Sequence, residues 1–264
     1  ICIIIMDLEY IELYNQNVTE NILLEAMNMC YNNICFSTFP YIEGKIVLSK
    51  ESLEKNSSGN CIAMSTFIKL YLKKNYDIHS HIIISSVPDS WRSLGQSHIC
   101  HCAIVIPKSK YTFYIIDCAF QLKFPLYVDV RLNSTNYSIM CDIHNDIEKS
   151  VNYSIFYEKR DDILQNTLCI KCLCNELEWT YYINEIKNPD RTIGNEYHNV
   201  KKEPFIVQTQ VIDGKIIKKL HIKKELNKIT FINKGDSKTY DLNNIPNEEK
   251  KILKSLYKYL RNTI

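Results

Sequence analysis

Glycine is scarce in this chain, with 6 residues in 264. No Gly-x-Gly-x-x-Gly segment and no Walker-type run can be assembled from so few, which excludes the Gly-rich loops that cradle nucleotide phosphates. An excess of one charge is also missing. The net charge of +2 gives no whole-chain argument for a nucleic-acid partner. Long apolar runs are absent too. The opening Ile1-Cys2-Ile3-Ile4-Ile5-Met6 is far shorter than the roughly 20 residues that span a bilayer, so no membrane partner is expected. Neither an internal repeat nor a Pro/Gly-rich linker is visible. Met6 is a candidate start residue.

Cysteine is plentiful, at 11 residues. The number is odd, the residues are scattered through apolar stretches, and no secretory leader precedes them, so a reduced, cytoplasmic location is expected. The Asn-x-Ser/Thr triplets at Asn17, Asn56, Asn133, Asn136 and Asn152 then read as products of an Asn-rich composition. Hydrophobic residues at 45% and charged residues at 23% fit a globular protein with a sizeable core.

The pattern along the chain predicts an α+β protein in three parts: a helical N-terminal domain (1–80), an antiparallel β-barrel-like middle (81–190) and a small α/β lid (191–264). Residues 7–36 read as helical, with Thr19 as an N-cap before Ile22, Leu23, Ala26, Met27 and Cys30. Residues 36–58 read as irregular. A helix follows over 61–74, with Lys73 and Lys74 suiting its C-terminal dipole. Short β-branched and aromatic runs predict strands at 82–87, 101–106, 111–117, 153–157, 168–174 and 178–183, continuing over 205–207, 215–218 and 229–231. A last amphipathic helix is expected over 247–261.

Three polar residues stand where apolar ones belong. Cys61 opens a buried-looking helix behind the polar lead-in Asn56-Ser57-Ser58-Gly59-Asn60. His101 starts the apolar run through Ile106, and Asp117 ends the run from Tyr111. A hairpin centred on Ser109 makes positions summing to 218 face each other, and 101 + 117 = 218. Directly opposed residues have Cβ atoms about 4.5–5.5 Å apart, close enough for a carboxylate to hold an imidazole. His98 faces the other side of the same strand. A thiol at a helix N-terminus, beside an oriented imidazole, is the layout of an activated cysteine nucleophile.

Two other groups are weaker. Cys141-x-x-His144 and Cys169-x-x-Cys172-x-Cys174 have spacings seen in zinc sites, but the second alternates within a strand and no metal is expected. The five lysines between Lys215 and Lys224 are interleaved with apolar residues. They read as a solvated strand face, with contact to the phosphates of a charged cofactor as the alternative.

The order of these pieces resembles the arylamine N-acetyltransferases, within the wider transglutaminase-like and papain-like cysteine superfamily. That family's Arg-Gly-Gly-x-Cys segment reads here Ser57-Ser58-Gly59-Asn60-Cys61. Its strand-opening His is similar to His101, and its Asp-Val-Gly-Phe-Gly reads Asp117-Cys118-Ala119-Phe120-Gln121. Asn195-Glu196-Tyr197-His198, Pro204-Phe205 and the final helix also look like family segments. The departures are Ser57 and Ser58 for Arg-Gly, Cys35-Phe36-Ser37-Thr38 for Pro-Phe-Glu-Asn, and Gln121 for Gly.

The resemblance implies a cysteine-proteinase-like core carrying a catalytic triad of Cys61, His101 and Asp117, with Phe36, Phe120 and Gln121 at the substrate. It implies transfer of an acetyl or other acyl group from acetyl-CoA or another acyl-CoA to a small-molecule amine of arylamine type, through an acyl-cysteine in a ping-pong cycle. A monomer is expected. The rivals are a cysteine hydrolase or transamidase of the same superfamily, and a non-catalytic interaction module on the same fold.

Overall fold

Thr19 fixes where the first helix begins. Its hydroxyl accepts from Ile22 N at 3.4 Å, capping α1 (Glu20–Asn33), whose buried residues Leu23, Ala26, Met27, Cys30 and Tyr31 make one face at helical spacing. In the computed structural model, described residues are 14–39, 48–92, 96–132, 137–142, 147–160, 164–193, 205–225, 227–233 and 236–256. The expected helix over 7–36 is therefore corrected. Residues 7–13 lie outside the described set, residues 14–19 are not helical, and Cys35–Ser37 is strand β1. Asn15 explains the non-helical approach. Its amide donates to His79 O at 2.8 Å and Pro107 O at 2.9 Å, and accepts from His79 N at 2.8 Å, which ties this segment, turned at Gln16 and Asn17, to two distant stretches of chain.

The stretch expected to be irregular holds α2 (Ser49–Asn56) and the two-residue strand β2 (Ser58–Gly59). Helix α2 escaped the hydrophobic pattern because it is polar almost throughout. Ion pairs Lys50–Glu54 and Glu51–Lys55 stitch its exposed side at i,i+4 spacing, while small Ser49 and Ser52 are buried. Helix α3 (Cys61–Tyr76) follows as expected. Asn60 caps it with Oδ1, accepting from Ile62 N at 3.0 Å and Ala63 N at 3.2 Å, and Asp77 ends it in the left-handed conformation at φ 53°. Residues 61–65 are all buried, so the polar N-terminus of α3 sits inside the protein.

The strands form two sheets. The first contains β3 (His81–Ser86), β4 (Ile99–Pro107), β5 (Thr112–Ile116), β6 (Leu126–Asp129), β7 (Tyr137–Asp142), β8 (Ile147–Arg160), β9 (Leu164–Cys174) and β10 (Leu177–Glu185). They are antiparallel in the order β6-β5-β4-β3-β10-β9-β8-β7, an open sheet curled as a half-barrel. The four-residue helix α4 (Pro189–Thr192) follows β10. The second sheet gathers β11 (Phe205–Ile212), β12 (Lys215–Glu225), β13 (Lys228–Asn233) and β14 (Asp236–Asp241), and continues through β11 into β1 and β2. The mixed α+β class is as expected. The pairing of Phe36 with Val207 ties the start of the chain to its last third.

Helix α3 packs on β4, and α1 packs on α3 and β11. The main core lies between these helices and the half-barrel, and a smaller one joins Phe39, Ile206, Ile222, Ile229 and Phe231 to Leu253 of α5 (Asn247–Leu256). The last helix is described only to Leu256; the expected turn to residue 261 lies outside the described residues, as do Asn195 to His198 and Pro204.

Because α3 begins in the interior, water cannot take over the two N–H groups that Asn60 holds. Asn60→Ala should destabilise the protein by about 1–2 kcal/mol, the upper part of the range for cap removal. The check is a lower urea midpoint at unchanged m-value.

Candidate active site

The three residues singled out by sequence meet in the structure. Cys61 is the first residue of α3, His101 lies on β4, and Asp117 directly follows β5. They are 0%, 3% and 2% exposed. His101 Nε2 lies 2.8 Å from Asp117 Oδ2, and the Cys61 thiol hydrogen-bonds the imidazole. Since Nε2 faces the carboxylate, Nδ1 is the nitrogen left for sulfur. His98 is half exposed, with Asp89 as its nearest acid at 3.9 Å.

The hairpin register differs from the expected one. Ile104 faces Ile116 and Val105 faces Ile115, so facing positions sum to 220 rather than 218. The turn is held by Lys108 N and Ser109 N, both donating to Thr112 O at 3.0 Å, which centres it one residue later than Ser109. A slip of one residue in one strand would have moved Asp117 to the opposite face. This slip is two, so the face is kept and the pair meets diagonally. The sheet also ends at Ile116, which frees Asp117 to turn toward the ring.

Asp117 is fully engaged. Its Oδ1 accepts from Phe120 N at 2.9 Å, closing a local turn, while Oδ2 accepts from His101 and from Tyr181 Oη at 2.9 Å. Tyr181 carried no sequence signal. The two ladders Tyr181↔Ser85 and Ser85↔His101 place it two strands from His101 in one row, a relation made only by tertiary pairing. Cys102, also unnoticed in sequence, has its thiol within hydrogen-bonding reach of both Cys61 and Ser65.

Burial alone would lower the His101 pKa. The charges of Asp117 and Cys61 outweigh that effect, and with their hydrogen bonds they carry it to about 10. The Phe120 ring lies flat on the imidazole, centroids 3.9 Å apart and planes within 1°, so its π face also favours the cationic form. Trp91 and Trp179 meet Phe120 edge-on at 5.3 and 5.4 Å.

The other expected site residues fall differently. Phe36 stacks on Phe205 at 5.5 Å, and its backbone pairs with Gly59 two residues before Cys61. Gln121 is buried and left-handed at φ 58°. Its Nε2 donates to Cys118 O at 2.9 Å, and its Oε1 has no hydrogen-bond partner. Ser58, at another departure from the family pattern, has a buried hydroxyl with no partner. No group of three metal ligands occurs among the described residues. On β9, Cys169 faces away from Cys172 and Cys174, and His144 lies outside the described residues.

No protein-family model matches the sequence, and no curated protein matches it either. Solved structures do. The fold is that of the arylamine N-acetyltransferases. An enzyme of that name from Bacillus cereus, with a Cys-His-Glu catalytic triad, is 16% identical over 92% of each chain at a TM-score of 0.56. Arylamine N-acetyltransferase C from Bacillus anthracis is 14% identical over 95% of each chain, TM-score 0.55. The M. smegmatis enzyme is 10% identical over 97% of this chain and 92% of its own, TM-score 0.57.

Two outcomes test this geometry. The raised His101 pKa stabilises the fold fully below the unfolded value of about 6.5. That contribution falls as pH rises and is gone above about 10. Asp117→Asn should flatten this pH dependence, so Tm curves of the two proteins should converge between pH 7 and 10; parallel curves would refute the pairing. Tyr181→Phe removes a donor from a buried carboxylate and should cost about 1.5–3 kcal/mol in chemical denaturation.

Proposed function

We propose that this protein is an acyltransferase that moves an acyl group from acyl-coenzyme A to an amine through an acyl-cysteine. The observation that carries the reading is the buried imidazole of His101, held between Asp117 and the Cys61 thiol at a capped helix N-terminus. On this reading Cys61, His101 and Asp117 are the catalytic triad, with Asp where the Bacillus cereus enzyme has Glu.

Cys61 enters as thiolate, its proton on His101 Nδ1. Sulfur attacks the thioester carbonyl, a C–S bond forms, and the backbone N–H of Cys61 at the start of α3 stabilises the oxyanion. The coenzyme thiolate leaves with the proton from His101. An amine then attacks the acyl-cysteine while His101 accepts its proton, and Cys61 departs as thiolate. Asp117 keeps the ring oriented and stabilises its cation throughout. Phe120, lying on the ring, forms one wall, and Phe36 beside Gly59 is a second aromatic at the approach. Lys218, Lys223 and Lys224 on β12 share a sheet with β2, which leads into Cys61, and are candidates for the donor phosphates. The Lys219 side chain lies outside the described residues.

A second reading has specific support. The zero exposure of Cys61 and the buried side chain of Gln121, where the family has Gly, favour a protein that kept the fold as a non-catalytic module.

Intact-mass measurement against a panel of acyl-coenzyme A esters separates the readings. Acyl transfer predicts one acyl mass on Cys61, none on Cys61→Ala, and acylation slowed by at least about 100-fold in Asp117→Asn. Raising ionic strength toward 1 M shortens the screening length to about 3 Å, so donor binding should weaken if the lysines hold phosphates. Gln121→Gly relieves a left-handed backbone and should leave acylation intact or faster. Turnover of an amide without acylation by any coenzyme A ester would move the protein to the hydrolases. Silence in both assays would favour the module.

A further inference from the structure

The main core holds a second sulfur beside the first. Cys102 is 1% exposed on β4, and its sulfur lies 3.7 Å from Ser65 Oγ. Ser65 stands four residues after Cys61 on α3, one turn along the same face, so Cys102 rests on the first turn of the helix that Cys61 opens. Its thiol is also in hydrogen-bonding contact with Cys61. The acyl-transfer cycle above does not use it.

We propose that Cys102 is the resolving cysteine of Cys61: a small hydroperoxide oxidises Cys61, and Cys102 closes a Cys61–Cys102 disulfide. In the first step the Cys61 thiolate attacks the terminal oxygen of the hydroperoxide. An S–O bond forms, the O–O bond breaks, and the leaving alcohol, or water from hydrogen peroxide, takes the proton of the His101 imidazolium. In the second step the Cys102 sulfur attacks the sulfenic sulfur, the S–O bond breaks, and water leaves with the Cys102 proton. Two thiols lose two electrons and the hydroperoxide gains them. An external thiol reverses the bridge by exchange.

The division of labour follows from the surroundings. Burial first, then the neighbouring Cys61, push the Cys102 thiol well above its ordinary range, so it stays protonated while Cys61 reacts. A second thiol contact, Cys118 with Cys30, lies beyond Asp117, and burial chiefly pushes the Cys118 thiol up. Neither sulfur there touches the imidazole, so that pair serves as an internal control. The proposal rests on Cys61 being the activated thiol of the site and does not require acyl transfer.

The test treats the whole protein with hydrogen peroxide at equimolar amount, blocks remaining thiols with iodoacetamide, and maps peptides without reduction. The expected result is a Cys61–Cys102 crosslinked peptide, with Cys61 labelling restored in full by dithiothreitol. In Cys102→Ser the same dose should leave Cys61 trapped by dimedone as sulfenic acid, and more peroxide should convert it to sulfinic acid with complete loss of recovery. If Cys102→Ser does not fold, the wild-type peptide map decides alone. Sulfinic Cys61 beside an alkylated Cys102, a bridge from Cys61 to another cysteine, or earlier oxidation of Cys30–Cys118 would overturn the proposal. A Cys61–Cys102 bridge in a protein that no acyl donor labels would sink acyl transfer and keep the resolving role. An acyl mass on Cys61 without the bridge would do the reverse.

Discussion

One buried carboxylate organises the centre of this protein. Asp117 is 2% exposed, and among the described residues no arginine or lysine forms an ion pair with it; its oxygens are met by the Phe120 N–H, the Tyr181 hydroxyl and the His101 ring. An ionised group so deep is tolerated only when its oxygens are occupied by donors. Each donor comes from a different part of the fold: the turn after β5, strand β10 and strand β4. Satisfying Asp117 therefore requires the half-barrel to be assembled in register. The assembled carboxylate then holds His101 against the start of α3.

Asn60 plays the complementary part on the helical side. Its side chain serves two α3 N–H groups and lies 3.2 Å from Ser49 Oγ, which in turn reaches Asp190 of α4 at 2.5 Å. The cap, α2 and the short helix after β10 are thus connected around the residue before Cys61. The position of the thiol is set from one side by a helix cap and from the other by a strand imidazole. Both constraints are polar groups placed inside an apolar core, where geometry is enforced by the cost of leaving them unpaired.

Much of this was legible in the sequence because the signals are local. Cys61 behind Asn60, and His101 and Asp117 interrupting apolar runs, each stand out against their neighbours. Most strands announced themselves by β-branched and aromatic runs. The register was misjudged by two residues because the Ser109–Thr112 turn is settled by side-chain hydrogen bonds that a symmetric hairpin ignores. Helix α2 was missed because it buries serines rather than large apolar residues. Tyr181 and Cys102 were invisible for a different reason: their partners lie 64 residues away at Asp117 and on the facing helix, and only folding brings them together. The Gln121 departure was legible, but its left-handed backbone, which accounts for the strain of a side chain there, was not.

The zero exposure of Cys61 makes this thiol a clock for the breathing of its own enclosure. A reagent can reach the sulfur only during excursions that open this enclosure. When closing is fast, the labelling rate is the rate of the open thiol multiplied by the open population. Each tenfold slowing relative to an exposed thiolate then reads as about 1.4 kcal/mol of opening free energy. A small probe and a bulky one, compared on the same sulfur, would report how far the enclosure opens as well as how often.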